Sequence, residues 1–301
     1  MTVLLGNSGS PRWYMGEPER LERYLDHLRD WGATSTEMVL HHGPSDERTA
    51  RVHVLRPDWE PMFQRYRDAG MAIQFHVSLD PRFATDRWAE DPDGLRAEYR
   101  PLLDAVGEVA ADQGRTVLVL HGAGDPRRNR EANQTATAGL LRWLADESER
   151  LPGDVHAAVE LGAAKQHRPT AVGRSRAGVL DLVDDVGSPR VGICWDVAHD
   201  RENADREPDW TPVPCERFLR HVAHVHLHDL DDEGEAHYPL VCGRVPYPEQ
   251  LAALASVDNL PSVTMEIRWR CAARLGEPWD LLGESYRAAE RAMRAAANGS
   301  V

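Results

Sequence analysis

The sequence predicts an α/β fold, a single-domain (β/α)8 barrel of the TIM type over residues 1–301, and three observations point to it. A chain of 301 residues suits one such barrel, which takes about 250 residues before insertions. Short β-rich runs alternate with longer amphipathic stretches along the whole chain, and no linker or shift of composition divides it. Nearly every β-rich run ends in a His or a carboxylate, as expected where strand ends share one mouth.

The first strand is placed at 3–5, and the Gly6-Asn7-Ser8-Gly9-Ser10 run after it reads as a turn. A helix over 17–31 leads to the second strand, 34–40, which carries Glu37 and is followed by His41 and His42. A helix at 58–69 precedes the third strand, 72–77, which ends at His76. In the helix expected over 94–112, Leu102, Val106, Val109 and Ala110 recur at spacings of three and four, which puts one apolar face against the barrel. The fourth strand, 116–120, runs into His121 and a helix at 129–150; the fifth, 156–161, carries Glu160 and leads to a helix at 171–186. The sixth, 191–195, delivers Asp196, with a short helix at 214–220 behind it. The seventh, 222–226, ends at His226 before a helix at 248–255, and the eighth, 262–267, carries Glu266 before the last helix, 277–296. Segments 80–93 and 200–210 are too long for simple turns and follow strand ends, so they read as active-site loops; for the second, an idle surface loop is an equal reading.

Composition narrows the function. A hydrophobic fraction of 42%, a charged fraction of 28% and nine Trp describe a folded globular chain. The formal charge of −14 repels a phosphate backbone at long range, which disfavours nucleic acid as a partner. Arg12, Trp13, Tyr14 and the group Arg127, Arg128 and Arg130 are the side chains a phosphate contact would draw on, although a solvated face is the first reading of such a cluster. Cys194, Cys215, Cys242 and Cys271 are far apart and form no C-x-x-C pair, so they read as reduced and structural. No apolar run approaches the roughly 20 residues of a membrane span, and no basic segment precedes the N-terminal apolar stretch. The chain reads as cytoplasmic, with no membrane partner.

Imidazoles and carboxylates from different strands converge in a closed barrel, and that donor mixture suits Zn2+, Mn2+, Co2+ or Fe2+. In Cys194-Trp195-Asp196-Val197-Ala198-His199, Asp196 sits at a strand tip as a ligand and His199 leans over the mouth. In His224-Val225-His226-Leu227-His228-Asp229, alternation puts three His on one side. They lie too far apart along the strand to be ligands together, so His226 is taken as the ligand, His224 as deeper core and His228 as a rim group near substrate or a group that supports a ligand from behind. Arg268, two residues after Glu266, reads as a substrate-oxygen binder or a structural ion pair, and Glu37 as a substrate contact.

These motifs resemble the xylose isomerase-like TIM-barrel superfamily, which contains sugar isomerases and epimerases, inosose dehydratases and abasic-site endonucleases. Asp196-Val197-Ala198-His199 is similar to the family's D-x-x-H, Val225-His226-Leu227-His228-Asp229 to its V-H-L-K-D, and Glu235-Ala236-His237 with Gly243-Arg244-Val245 to its acidic-x-His and Gly-rich segment. The resemblance implies one divalent metal (Mn, Co, Mg, Zn or Fe) held by Glu160, Asp196, His226 and Glu266. Glu160 and Glu266 then act as an acid–base pair on a sugar or polyol. The endonuclease pattern implies more ligands: His76 and His121 at a first metal, Glu160 bridging to a second, and His199, Glu235 and His237 at a third. Glu235 stands where that class has Asp. Three classes stay open on the sequence: a metal-dependent isomerase or epimerase with its dehydratase and lyase neighbours, a multi-metal phosphodiesterase, and a non-catalytic barrel with a structural metal.

Overall fold

The protein is described by a computed structural model covering residues 5–9, 18–40, 56–77, 80–164, 168–207, 209–257 and 261–297. Arg12, Trp13, Tyr14, His41 and His42 lie outside the described residues. In chain order the strands are β1 (Leu5–Gly9), β2 (Ser35–Leu40), β3 (Ala72–Val77), β4 (Thr116–Leu120), β5 (Val155–Glu160), β6 (Val191–Asp196), β7 (Val222–Leu227), β8 (Asp229–Leu230), β9 (Ala236–Tyr238) and β10 (Ser262–Met265). β1 to β7 and β10 are parallel and close into one barrel, with β1 between β10 and β2, while β8 and β9 form an antiparallel pair above the mouth.

Around the barrel run α1 (Pro18–Trp31), α2 (Arg56–Asp68), α3 (Pro92–Gln113), α4 (Arg130–Ser148), α5 (Arg176–Val186), α6 (Val197–Asn203), α7 (Glu216–His221), α8 (Tyr247–Ser256), α9 (Trp269–Leu275) and α10 (Pro278–Ala297). Local chemistry starts them where they start: Asp91, Asn129 and Ser175 each accept a backbone N–H from the first turn of α3, α4 and α5. No described helix is long and apolar enough to cross a membrane.

The core divides at the sheet. In β4, Leu118 and Leu120 belong to the layer shared with the helices, whereas Val117 and Val119 join Ala158, Cys194 and Ala223 in a separate small cluster. Alternation along each strand produces the two sets, and the second set fills the barrel with small side chains. Beside and above it the interior is polar, with Glu37, Gln74, His224, His226 and Thr264 all buried.

Three expectations are corrected. The Gly-Asn-Ser-Gly run is strand β1, not a turn: it is paired with β2 on one side and β10 on the other, and a Cβ on Gly6 would overlap the Ser35 carbonyl. Segment 200–210 is not an open loop, because α6 runs to Asn203 and the buried Asp200 carboxylate accepts hydrogen bonds from Arg176 and from the indoles of Trp195 and Trp210. β10 stops at Met265, so Glu266 and Arg268 follow the strand instead of sharing a face of it. Segment 80–93 contains two short 3-10 turns, the first capped by Asp80.

Candidate metal centre

The barrel's register brings the strand ends to one level. Asp196 lies beside His226, His226 beside Thr264, and the Glu266 N–H donates to the Leu227 carbonyl, carrying the ladder one step past β10. His226 Nδ1 lies 3.4 Å from Glu266 Oε2 and 4.0 Å from both Glu160 Oε2 and Asp196 Oδ2. His226 Nδ1 and Glu266 Oε2 are buried without a hydrogen-bond partner. Three carboxylates around one unpartnered imidazole nitrogen repel one another in a low dielectric, and a divalent cation relieves that repulsion. This donor set fits a metal such as Mn2+, Co2+ or Zn2+.

Further imidazoles flank the centre. His76 Nε2 and His121 Nδ1 lie 3.2 and 3.3 Å from Glu160 Oε2. On the other side, His199 Nδ1 is 2.9 Å from Asp196 Oδ2 and 3.5 Å from Glu160 Oε1. The groups His76, His121 and Glu160, and His199, His228 and His237, each offer ligand atoms within 4.8 Å of one another.

Hydrogen bonds sort these imidazoles, because a neutral ring carries one N–H and one lone pair. His76 Nδ1 faces the Val77 carbonyl at 2.7 Å, and His237 Nδ1 faces the Glu266 carbonyl at 3.1 Å. A carbonyl only accepts, so Nδ1 donates in both and Nε2 is left for a metal. His228 is the reverse: its Nδ1 accepts the His237 backbone N–H at 2.9 Å, so Nε2 carries the proton and donates to Asp196 Oδ2 at 3.0 Å. His228 therefore orients Asp196 and has no lone pair left for a cation. The left-handed backbone of His237, φ 72°, accompanies this contact, and the two rings stack at 4.3 Å. Asp196 is held from behind as well, its Oδ1 accepting the backbone N–H groups of Ala198 and His199 at the start of α6.

The same contacts set the electrostatics. Burial opposes ionisation of Asp196, yet His199 and His228 beside it hold the carboxyl well below the usual range. Glu160 is likewise kept low against burial by His121, His199 and His76. Glu266 is pushed up, first by burial and then by the charges of Glu160 and Asp196. Burial disfavours the charge on His199, but Asp196 and Glu160 raise it to about 10 in the metal-free protein.

Several residues stand elsewhere than the sequence suggested. Glu235 does not join the cluster: its carboxylate lies 2.5 Å from Arg274 and 3.6 Å from Arg270 on α9, and the left-handed turn at His237 breaks the alternation that would have paired the two. Arg268 is exposed, and its described hydrogen bonds are backbone ones, its N–H donating to the His237 carbonyl and its carbonyl accepting from Cys271 and Ala272. Of the two places expected for His228, the structure shows the one behind a ligand: it is fully buried and holds Asp196. Glu37 is not at the mouth: it pairs with Gln74, one inward layer below His76, and touches His224 and His226. Arg127 and Arg128 are turned onto Asp125 and Glu90, which neutralises that surface.

Sequence reasoning also missed Arg174. It follows β5 within electrostatic reach of Glu160 and His121, it has no hydrogen bond or ion pair among the described residues, and its guanidinium occupies the place a Cβ on Gly162 would fill. Gly162, two residues after Glu160, is the one signal that something packs there.

Glu266 and His121 keep 27% and 31% of their side chains exposed while Glu160 keeps 2%.

Comparison with known proteins agrees with this architecture. The profile of the Xylose isomerase-like TIM barrel family matches residues 25–296. No curated protein sequence matches significantly. Among solved structures, an L-ribulose 3-epimerase superposes with a TM-score of 0.68 at 15% identity, covering 99% of this chain and 97% of its own. D-psicose 3-epimerase with D-tagatose, from Clostridium cellulolyticum H10, gives 0.67 at 15% identity over 97% of this chain and 99% of its own. A 3-keto-D-glucoside 4-epimerase from E. coli gives 0.67 at 15% identity over 96% of this chain and 100% of its own. At this identity the structures speak for the fold alone; with the family profile spanning nearly all of the barrel, the chain belongs to the xylose isomerase-like TIM-barrel family.

Proposed function

We propose that the chain is a divalent-metal-dependent isomerase or epimerase that moves a proton next to the carbonyl of a sugar or polyol-derived substrate. The convergence of Glu160, Asp196 and Glu266 on the unpartnered Nδ1 of His226 carries this reading. These four would hold the metal. When bound, it supplies Lewis acidity, polarising adjacent carbonyl and hydroxyl oxygens and acidifying the carbon between them.

The protein's own groups do the rest. Glu160 and Glu266 come from strand ends separated by β6 and β7, so they reach a substrate from two directions and serve as the pair that removes and returns the proton. His199, poised between Asp196 and Glu160, and Arg174 over Gly162 donate hydrogen bonds to substrate oxygens. The epimerases that share the fold, one of them with D-tagatose, support a sugar as the substrate class.

The test is deuterium uptake. Ketoses and polyol-derived ketones incubated in D2O with metal-loaded enzyme exchange a C–H in a reaction that Glu160→Gln slows by about 10²- to 10⁴-fold. Absence of exchange across such a panel contradicts the proposal.

A second reading has its own observation. The flanking groups His76, His121 and Glu160, and His199 and His237, are ligand-ready on either side, as in a clustered-metal phosphoester hydrolase. Glu235, engaged by Arg274, counts against it. His237→Ala separates the two: metal content is unchanged in a one-metal isomerase and falls by one equivalent in a clustered site.

A further inference from the structure

We propose that Glu37 is a positioning residue that fixes which nitrogen of His226 faces the metal. The inference rests on the metal-centre reading above and deepens it.

Glu37 lies one inward layer below the mouth. It sits in the middle of β2, aligned with Ser8 of β1 and Gln74 of β3, and is buried. From there its Oε2 crosses the barrel to meet β7, 3.0 Å from His226 Nε2 and 2.9 Å from His224 Nε2. A carboxylate oxygen at 3.0 Å accepts, so the proton between Glu37 and His226 belongs to Nε2. The lone pair of the neutral ring is then at Nδ1, the atom that faces Glu160, Asp196 and Glu266 and has no other partner.

The chain goes one step deeper. His224 Nδ1 lies 2.6 Å from Ser262 Oγ on β10. Ser262, His224, Glu37 and His226 thus tie β10, β7 and β2 together under the site, and every member is buried. A carboxylate behind a ligating imidazole fixes its orientation and raises its basicity, and losing such a partner costs about 10- to 100-fold in metal affinity. In the wild type no solvent reaches this contact, because all four side chains are buried.

The experiment is zinc affinity by chelator competition on wild type, Glu37→Gln and Glu37→Ala, each checked for fold by circular dichroism. Glu37→Gln keeps an acceptor and loses the charge. Glu37→Ala loses both. The expected order is wild type tightest, Glu37→Gln weaker, and Glu37→Ala weakest by about 10- to 100-fold, with one zinc per chain in all three. Equal affinity in a folded Glu37→Ala protein overturns the proposal. So does a second zinc equivalent that disappears with Glu37 while the first remains, which would make Glu37, His224 and His226 a metal site in their own right.

Should the variants not fold, 15N spectra of the zinc-loaded wild type decide. His226 then shows a proton on Nε2 and none on Nδ1; the reverse assignment overturns the proposal. Wild type that takes up no zinc is a different failure, of the metal-centre reading itself, and is told apart by the wild-type titration alone.

Discussion

At the scale of single residues, the site is organised by which atom carries each proton. His76 and His237 give Nδ1 to carbonyl oxygens, His76 turning its Nε2 to Glu160, whereas His228 accepts an amide and spends its proton on Asp196. His228→Ala therefore leaves the four proposed ligands in place and removes one of the contacts that orient Asp196. Its expected effect is a loss of metal affinity of about tenfold, read by chelator competition. His199 gives a pH prediction. Its charge is stabilised in the folded metal-free protein, where its value is about 10 against an ordinary 6.5. That contribution to stability is fully present below 6.5 and is lost as pH climbs through about 10. The melting temperature of the metal-free protein should accordingly fall over this alkaline window, and the fall should be steeper than in His199→Gln. A metal that takes this ring as a ligand must displace the proton. Arg174→Met is expected to raise KM several-fold while metal content stays at the wild-type level, since the guanidinium lies beside Glu160 and not among the ligands.

At the scale of elements, strand alternation made most of the site legible and the segments after strands did not. Glu160, Asp196 and His226 stand at or near the ends of β5, β6 and β7, where inward direction follows from the period of two. Glu235 and Arg268 lie beyond regular strand, where tertiary contacts choose the direction; Glu235 goes to Arg274, and His237 turns left-handed. The extension of β1 from Leu5 to Gly9 was unreadable for a related reason. Leu5–Gly9 contains little that favours a strand, and it is one because β2 and β10 offer it hydrogen bonds on both edges. Asp229 was noticed only as part of a motif, and its role is mechanical. Its buried carboxylate accepts the backbone N–H groups of Leu230, Gly243, Arg244 and Val245 and so anchors the loop ahead of α8. Asp229→Ala leaves those donors without their acceptor and should cost about 3 kcal/mol, measured by urea unfolding.

At the scale of the whole molecule, one closed sheet carries an apolar layer outside, small side chains low inside and titratable groups at the mouth. That division was foreseeable from eight alternating units, because a parallel sheet needs helices over its outer face. What the barrel does with its mouth was less legible, because the ligand set of a one-metal isomerase is contained within that of a clustered-metal hydrolase. Metal bound only to the folded state stabilises it by mass action, by about 2.7 kcal/mol at a hundredfold excess over Kd. Chelation should lower the melting temperature correspondingly, and Glu160→Gln should remove most of that difference.

The central claim is that Glu160, Asp196, His226 and Glu266 hold one divalent metal. The most direct test is elemental analysis of protein purified without added metal and again after reconstitution, beside Asp196→Ala. The account predicts about one equivalent of a single divalent element, such as Mn, Co or Mg, in wild type and close to none in the variant. A wild type that neither carries nor takes up metal would contradict the centre, and two or three equivalents of zinc or iron would contradict the one-metal isomerase.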